Sequence, residues 1–194
     1  MKRIITAVFL LLTLFVCSCG QGMKYYPGMS APDQPVQNNL NNGEQFIFRD
    51  YLIMPLAEFD IKAKVLSAKR YSSDLVPVDL ALGWGPMSDD KVISAITVQQ
   101  SDRWYRWYTD ELPITQRQIE TNSSNMHLIP ADDEVEKQIK RARKGDTVEF
   151  YGYLVEAKGA DGSYWRSSLT RGDTGNNACE VVWVIEFWIV PPEP

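Results

Sequence analysis

The chain has 194 residues, of which 25 are acidic and 20 are basic, so its formal net charge at pH 7 is −5. This acidic balance argues against a nucleic-acid partner, because affinity for nucleic acids comes mostly from clustered Lys and Arg side chains that neutralise phosphates. It argues equally against a polybasic patch for anionic membrane surfaces. The length fits one domain of ordinary size with additional segments.

The first element in chain order is an N-terminal leader. Met1, Lys2 and Arg3 form a short basic start, and residues 4–16 are apolar apart from two threonines. This is the layout of a secretory signal, and the apolar run is too short for a spanning helix, which needs about 20 apolar residues. We therefore expect residues 1–18 to be a signal peptide that is removed.

The leader ends in Val16-Cys17-Ser18-Cys19. This pattern resembles the lipobox of bacterial lipoproteins, which ends a type II signal peptide. The resemblance implies that Cys19 carries a diacylglyceryl thioether, that acyl chains such as palmitate hold the protein on the membrane, and that Cys17 is lost with the leader. In lipoproteins of double-membraned bacteria an aspartate after the cysteine signals retention in the inner membrane, so the resemblance, with Gly20 at that position, implies the outer membrane facing the periplasm. The predicted location is the cell envelope.

A retained helix that buries Cys17 and Cys19 is the alternative, but the polar stretch after Gly20 offers it nothing to pack against. Residues 19–45 are rich in Pro, Asn, Gln and Gly and show no apolar period, which predicts a lipidated flexible tether. Residues 46–190 are predicted to form a β-rich globular domain, and residues 191–194 a Pro-rich tail.

The first half of the domain reads as strands with one short helix. "FDIKAKV" and "LVPVDLALGW" alternate apolar and polar residues, which is typical of half-buried strands. A short helix is predicted from an N-cap at Ser88 to about Ile96, and "DRWYRWYT" predicts a further strand.

The best-formed helix is predicted to begin near Asp132. Acidic residues crowd its start, basic residues crowd its end, and Gly145 suits a left-handed stop. Val135, Ile139 and Ala142 form one apolar stripe, so the helix should pack by one face.

The last third of the chain predicts three more strands. In "GDTVEFYGYLVE", Gly152 suits a bend or bulge, and the "DG" at residues 161–162 marks a turn into "SYWRSSLT". In "CEVVWVIEFWIV" one apolar face runs from Cys179 to Ile189, with Glu180 and Glu186 on the other face. Cys179 is therefore predicted to be buried.

The predicted fold class is mainly β, a β-rich α+β domain. The order of elements resembles an OB-type barrel, which has one helix between its third and fourth strands. Six predicted strands rather than five leave a non-OB small barrel or a β-sandwich as the alternative. Segments such as "GWGPMSD", "NMHLIPADD" and "WRSSLTRGDTGNNACE" also resemble an uncharacterised family of bacterial proteins over residues 51–190, a resemblance that implies no activity.

An aromatic strand is the strongest candidate for a binding surface. Aromatic side chains alternate with arginines there, and both can stack on sugars or peptide side chains. The predicted binding residues are Trp84, Arg103, Trp104, Arg106, Trp107 and Tyr108. The predicted function is a non-catalytic envelope lipoprotein that binds an envelope protein, peptide or glycan, without a cofactor and without nucleic acid.

An enzyme is the alternative function. Cys179 is the only thiol after the leader and His127 the only histidine, so they could form the nucleophile and base of a cysteine-dependent hydrolase. Against this pair, a thiol that opens a long apolar strand should be packed and inert. The Cys17–Cys19 pair has too few neighbouring ligands for a zinc site, so no metal is expected.

Overall fold

The computed structural model of the chain describes residues 28–170 and 178–191. Strands account for 51% and helices for 15%, so the fold is mainly β. The strands are β1 (Val36–Asn39), β2 (Phe46–Phe48), β3 (Tyr51–Arg70), β4 (Val78–Gly83), β5 (Thr97–Ser101), β6 (Trp104–Tyr108), β7 (Ser123–Pro130), β8 (Thr147–Gly159), β9 (Tyr164–Arg166) and β10 (Glu180–Val190). The helices are α1 (Asp90–Ser94), α2 (Gln116–Thr121) and α3 (Asp133–Arg141), with a 3-10 turn at Gly85–Ser88. The predicted leader, Cys19 and most of the Pro-rich tail lie outside the described residues.

Five strands of the large sheet close into a ring. β3 pairs with β4, β4 with β7, β7 with β10, β10 with β8, and β8 returns to β3. Every pair is antiparallel except β7 with β10, which is parallel. The ring is not a regular barrel, because its ladders are interrupted by register shifts in β3 and β10. The short strands β1 and β2 add to β3, and β9 adds to β8.

The main core lies inside this ring. The alternation predicted in "FDIKAKV" is confirmed, since Phe59, Ile61, Ala63 and Val65 are all buried there. Phe59 and Phe187 both contact Phe150, at centroid separations of 6.3 Å and 5.7 Å. Each large apolar side chain buried in this way contributes about 2 kcal/mol.

Helix α3 packs against the main core by its predicted stripe of Val135, Ile139 and Ala142. Asp132 is the N-cap, and its Oδ1 accepts a hydrogen bond of 2.8 Å from the backbone N–H of Val135. Gly145 takes a φ of +95° in the turn that follows. The predicted start at Asp132 is therefore confirmed, but the helix ends at Arg141 with Ala142 as its C-cap, and Gly145 lies in the following turn rather than at the stop of the helix.

The shorter helix needs a correction. Its N-cap is Asp89 rather than Ser88, and α1 ends at Ser94, before the predicted end at Ile96. Ser88 is buried in the 3-10 turn, where its hydroxyl bonds to backbone groups of Ala31 and Gly85.

The predicted tether is wrong for its second half. Ala31 is buried, and its backbone N–H donates to Ser88 Oγ over 3.1 Å. Strand β1, at Val36–Asn39, pairs with β3. The folded part of the chain therefore includes residues 28–45, because hydrogen bonds tie down a segment that has no apolar period.

Strand β10 also departs from its predicted single buried face. Val182 and Val184 point into the main core, whereas Trp183 lies in a second core, where Phe46 and Phe48 pack edge-on against its ring. Glu180 is buried as well, at 1% exposure, although Glu186 is exposed as predicted. Both faces of the first half of β10 are covered because short outer strands form a second layer there.

Residues 84–122 form an insertion between β4 and β7 that positions the candidate site. It contains the 3-10 turn, α1, the β5–β6 hairpin and α2. A third apolar cluster, which includes Met87, Ile96 and Ile119, joins it to the outside of the ring. None of the helices in the described ranges has the length and apolar character that crossing a bilayer requires.

Candidate binding groove

The predicted aromatic strand is β6, and it pairs along its whole length with β5. Tyr105 and Trp107 turn toward the ring and pack on the third apolar cluster. Because side chains alternate along a strand, Trp104, Arg106 and Tyr108 lie on the opposite face. Trp104 and Trp107 are both half-buried, so neither is a fully enclosed core residue.

The tip of the hairpin is held to the ring by Arg103. Its Nη1 lies 2.9 Å from Asp79 Oδ1 and donates to the backbone oxygen of Val76 over 3.1 Å. Its guanidinium carbon is 3.6 Å from the centroid of the Tyr71 ring, a cation–π contact. Burial, and next the charge of Asp79, raise the pKa of Tyr71, so this ring stays a neutral phenol beneath the arginine.

Asn125 and Tyr105 hold the rest of the hairpin. The Asn125 side chain accepts a hydrogen bond of 2.7 Å from Gln100 and donates one of 3.0 Å to the backbone oxygen of Arg103. The Tyr105 hydroxyl lies 3.2 Å from the backbone oxygen of Ser123. Burial raises the pKa of Tyr105, which keeps its hydroxyl protonated as a donor. Side-chain hydrogen bonds therefore attach the hairpin to the ring.

A groove of about 420 Å³ lies beside β6. One wall is β6 itself, all five residues of which line the groove. The other wall is polar and comes from the start of β7 and the approach to β10, at residues 123–125 and 178–180, with Glu120 of α2 nearby. This volume lies in the range of about 300–1,000 Å³ that ligand pockets occupy.

The polar wall is internally hydrogen-bonded. Ser124 Oγ donates to Glu180 Oε2, and both residues are buried. The groove thus combines aromatic faces, one exposed guanidinium at Arg106, and hydroxyl, amide and carboxylate groups. Such a lining can stack on a ligand and hydrogen-bond to it at the same time.

The structure places the six predicted binding residues in three different situations. Trp104, Arg106, Trp107 and Tyr108 line the groove together. Trp84 also contributes to the lining, but it is only 1% exposed, and its Nε1 donates to Gln34 Oε1 over 2.8 Å, so its main role is in the core. Arg103 does not line the groove and serves instead as the anchor of the hairpin tip.

Sequence reasoning missed the polar wall. Ser123, Ser124 and Asn125 are buried at the start of an otherwise apolar strand. The sequence feature that could have indicated this wall is the polar run "NSSN" directly before "MHLIP". The same run is equally consistent with a solvated loop. The parallel pairing of β7 with β10, which builds this wall, has no local signal.

Cys179 and His127 lie on the same outer face of the ring. Val181 is the direct neighbour of His127 in the parallel ladder, and Cys179 precedes it by two residues. The prediction of a packed thiol is wrong, since Cys179 is only partly buried and lines the groove. His127 is buried; its Nδ1 lies 2.9 Å from Asp79 Oδ1, and its ring packs edge-on against Trp165.

Within residues 28–170 and 178–191, no three His, Cys, Asp or Glu side chains are grouped as ligands for a metal ion. Comparison of the chain with protein-family models, with curated proteins and with solved structures gives no match.

Proposed function

We propose that this protein is a lipid-anchored envelope protein whose domain binds a partner in the groove beside β6. The observation that carries the proposal is the groove itself, in which an aromatic strand faces a hydrogen-bonding wall across about 420 Å³. Its ligand is an envelope glycan, peptide or protein, and the binding is non-catalytic. The net charge of −5 argues against a nucleic acid.

The lipid anchor rests on the lipobox resemblance of Val16 to Cys19. Several acyl chains on one cysteine give durable attachment, since each buried CH₂ adds about 0.8 kcal/mol. Gly28 already bonds to Asp89, at 3.2 Å, so only residues 20–27 separate the lipid from the domain. A fully extended chain of that length spans at most about 30 Å. The groove would therefore act close to the membrane surface.

An OB-like barrel is the fold we assign to the ring. In sequence order the ring strands are β3, β4, β7, β8 and β10, and α3 falls between the third and the fourth. That placement of the helix supports the assignment. The β5–β6 hairpin is then an insertion between the second and third barrel strands, and the proposed groove belongs to the insertion.

A crosslinking pull-down from intact envelopes tests the binding function. Trp104→Ala removes a groove aromatic, and truncation of such an anchor costs about 2 kcal/mol or more, so recovery of the partner should fall by more than about tenfold. Trp188→Ala is the matched control, because Trp188 is half-exposed beside α3, in a different surface cavity. Equal recovery of the partner with both variants would refute the groove as the binding site.

The intact mass of the same material tests the lipid anchor. The anchor requires the loss of residues 1–18 and an added mass of acyl chains.

The second candidate function is a cysteine-dependent hydrolase that uses Cys179 and His127. The favouring observation is that Cys179 is only partly buried and lies on the same outer face of the ring as the buried His127. Iodoacetamide labelling of the folded protein near neutral pH discriminates the two functions. We expect His127→Gln to leave the labelling rate of Cys179 unchanged; a rate about tenfold lower would favour the hydrolase.

A further inference from the structure

Strand β6 is paired on one side only. All of its ladder partners belong to β5, from Thr97 opposite Tyr108 to Ser101 opposite Trp104. The groove is lined by every residue of β6 and by none of β5. The unpaired edge of β6 therefore faces the groove.

The turn of the hairpin decides which backbone groups point to that edge. Asp102 and Arg103 both have positive φ, at 52° and 67°, which makes a two-residue turn of the primed type. In such a hairpin the residues that flank the turn exchange both backbone hydrogen bonds, and the pairs then alternate. Ser101–Trp104, Gln99–Arg106 and Thr97–Tyr108 are thus the bonded pairs.

Tyr105 and Trp107 fall between the bonded pairs, so their N–H and C=O groups point away from β5 and toward the groove. No backbone hydrogen bond joins either residue to another strand within the described ranges. Among the described residues, these two N–H donors and two C=O acceptors have no backbone partner, and their spacing is that of an edge strand that can pair with another strand.

The short strands β1, β2 and β9 are poor templates by comparison, and β5, which matches β6 in length and also has a free edge, lines no part of the groove. β2 and β9 have three residues each, and β1 has four, of which three are polar amides. Strand β6 has five residues and carries no proline, no lysine and no register shift, and the exposed Arg106 is its single charged side chain. Among the short outer strands, β6 alone combines a free edge of this length with a groove beside it, so it is the best template for an added strand.

We infer that the groove binds an extended peptide segment of a partner protein, which adds to the edge of β6 as a third strand. This inference rests on the proposed binding function and names its ligand class. The outer face of the added strand would meet Trp104, Arg106 and Tyr108 in cross-strand positions. The preferred segment therefore carries an acidic side chain opposite Arg106, with apolar or aromatic side chains two residues to either side.

A peptide selection supplies the probe. A phage-displayed library of random heptapeptides is panned against the purified full chain, and the best binder is synthesised with single backbone N-methyl groups along its length. Strand addition predicts that N-methylation weakens binding by about tenfold at every second residue and leaves the residues between nearly unaffected. A uniform effect, or none, would contradict strand addition.

Two substitutions at one position test the edge from the protein side. Trp107→Ala and Trp107→Pro both remove the indole, but only proline removes the N–H that points into the groove. Proline is tolerated on an edge strand at such a position. We expect the proline variant to bind the selected peptide about tenfold more weakly than the alanine variant. Equal affinities would overturn the inference, and the N-methyl series decides alone if the proline variant does not fold.

The same protein is also assayed against oligomers of N-acetylglucosamine. If no peptide that depends on Trp104 is selected, the peptide inference fails. Glycan binding that is lost in Trp104→Ala and kept in Trp188→Ala would then preserve the groove as a binding site while replacing its ligand class. Failure of the groove itself is recognised separately, because Trp104→Ala would leave the envelope pull-down unchanged.

Discussion

Replacing Gly152 with alanine is expected to lower the free energy of unfolding by more than about 4 kcal/mol, a large part of the roughly 5–15 kcal/mol that an ordinary domain has. A Cβ at this position would lie 1.9 Å from the backbone oxygen of Trp183 and 2.9 Å from its carbonyl carbon. Both are backbone atoms within the β8–β10 ladder, so they cannot move away without breaking the ring. Urea unfolding followed by tryptophan fluorescence measures the effect.

Gly145→Ala is the control for this substitution. Gly145 has a φ of +95°, but an added Cβ would meet no atom within 4 Å. Its replacement should therefore cost only the strain of a left-handed residue, about 1–2 kcal/mol. Similar losses for the two variants would show that the close approach at Gly152 is relieved elsewhere in the ring.

Gly152 shows which structural features a local sequence pattern can predict and which it cannot. The glycine within an alternating strand pattern correctly marked an irregular position, and a register shift does occur beside it. The shift itself lies in β10, between Val184 and Glu186, on the strand that pairs with Gly152. A single sequence shows where a backbone approaches closely, but not which strand approaches it.

The fold as a whole shows the same contrast between features with local sequence signals and features that depend on distant residues. The start and the packing face of helix α3 were predicted, since its N-cap, its charges and its apolar stripe are local, but its end was placed at Gly145 and lies at Arg141. The full length of β3, Tyr51–Arg70, was not predicted, because two register shifts interrupt its period of two. Closure of the ring through β3 and β8 depends on residues about 100 positions apart, and no local pattern encodes that pairing.

For the candidate site, the sequence predicted the aromatic wall and missed the opposite one. The alternation of aromatic and basic residues in β6 is local, whereas Ser124 and Glu180 come together only through the parallel pairing of β7 with β10. Arg103 was predicted as a ligand contact because an arginine beside aromatics suggests stacking. It does stack, but on Tyr71 within the protein.

Replacing Asp79 with alanine is expected to lower the free energy of unfolding by about 3–5 kcal/mol, the usual cost of removing one partner of a buried ion pair. Asp79 is fully buried, and its Oδ1 lies 2.9 Å from both Arg103 Nη1 and His127 Nδ1. Without the carboxylate, a mostly buried guanidinium loses its counterion and the hairpin tip loses its anchor. Thermal and urea unfolding measure the loss.

The double variant Asp79→Ala/Arg103→Met separates the charge from the packing. Removing both charges eliminates the unpaired guanidinium, so the double variant should recover a substantial part of the stability lost in Asp79→Ala. Tyr71 gives a second readout, since the charge of Asp79 helps to raise its pKa, and the pKa should fall in Asp79→Ala. Hydrogen exchange in Asp79→Ala should become faster in residues 97–108 before it does in the ring, because Arg103 attaches the tip of the hairpin to the ring.

A loss of stability below about 1 kcal/mol together with unchanged exchange would contradict this role of Asp79. It would show that Asn125 and Tyr105 are sufficient to keep the hairpin, and therefore one wall of the groove, in place.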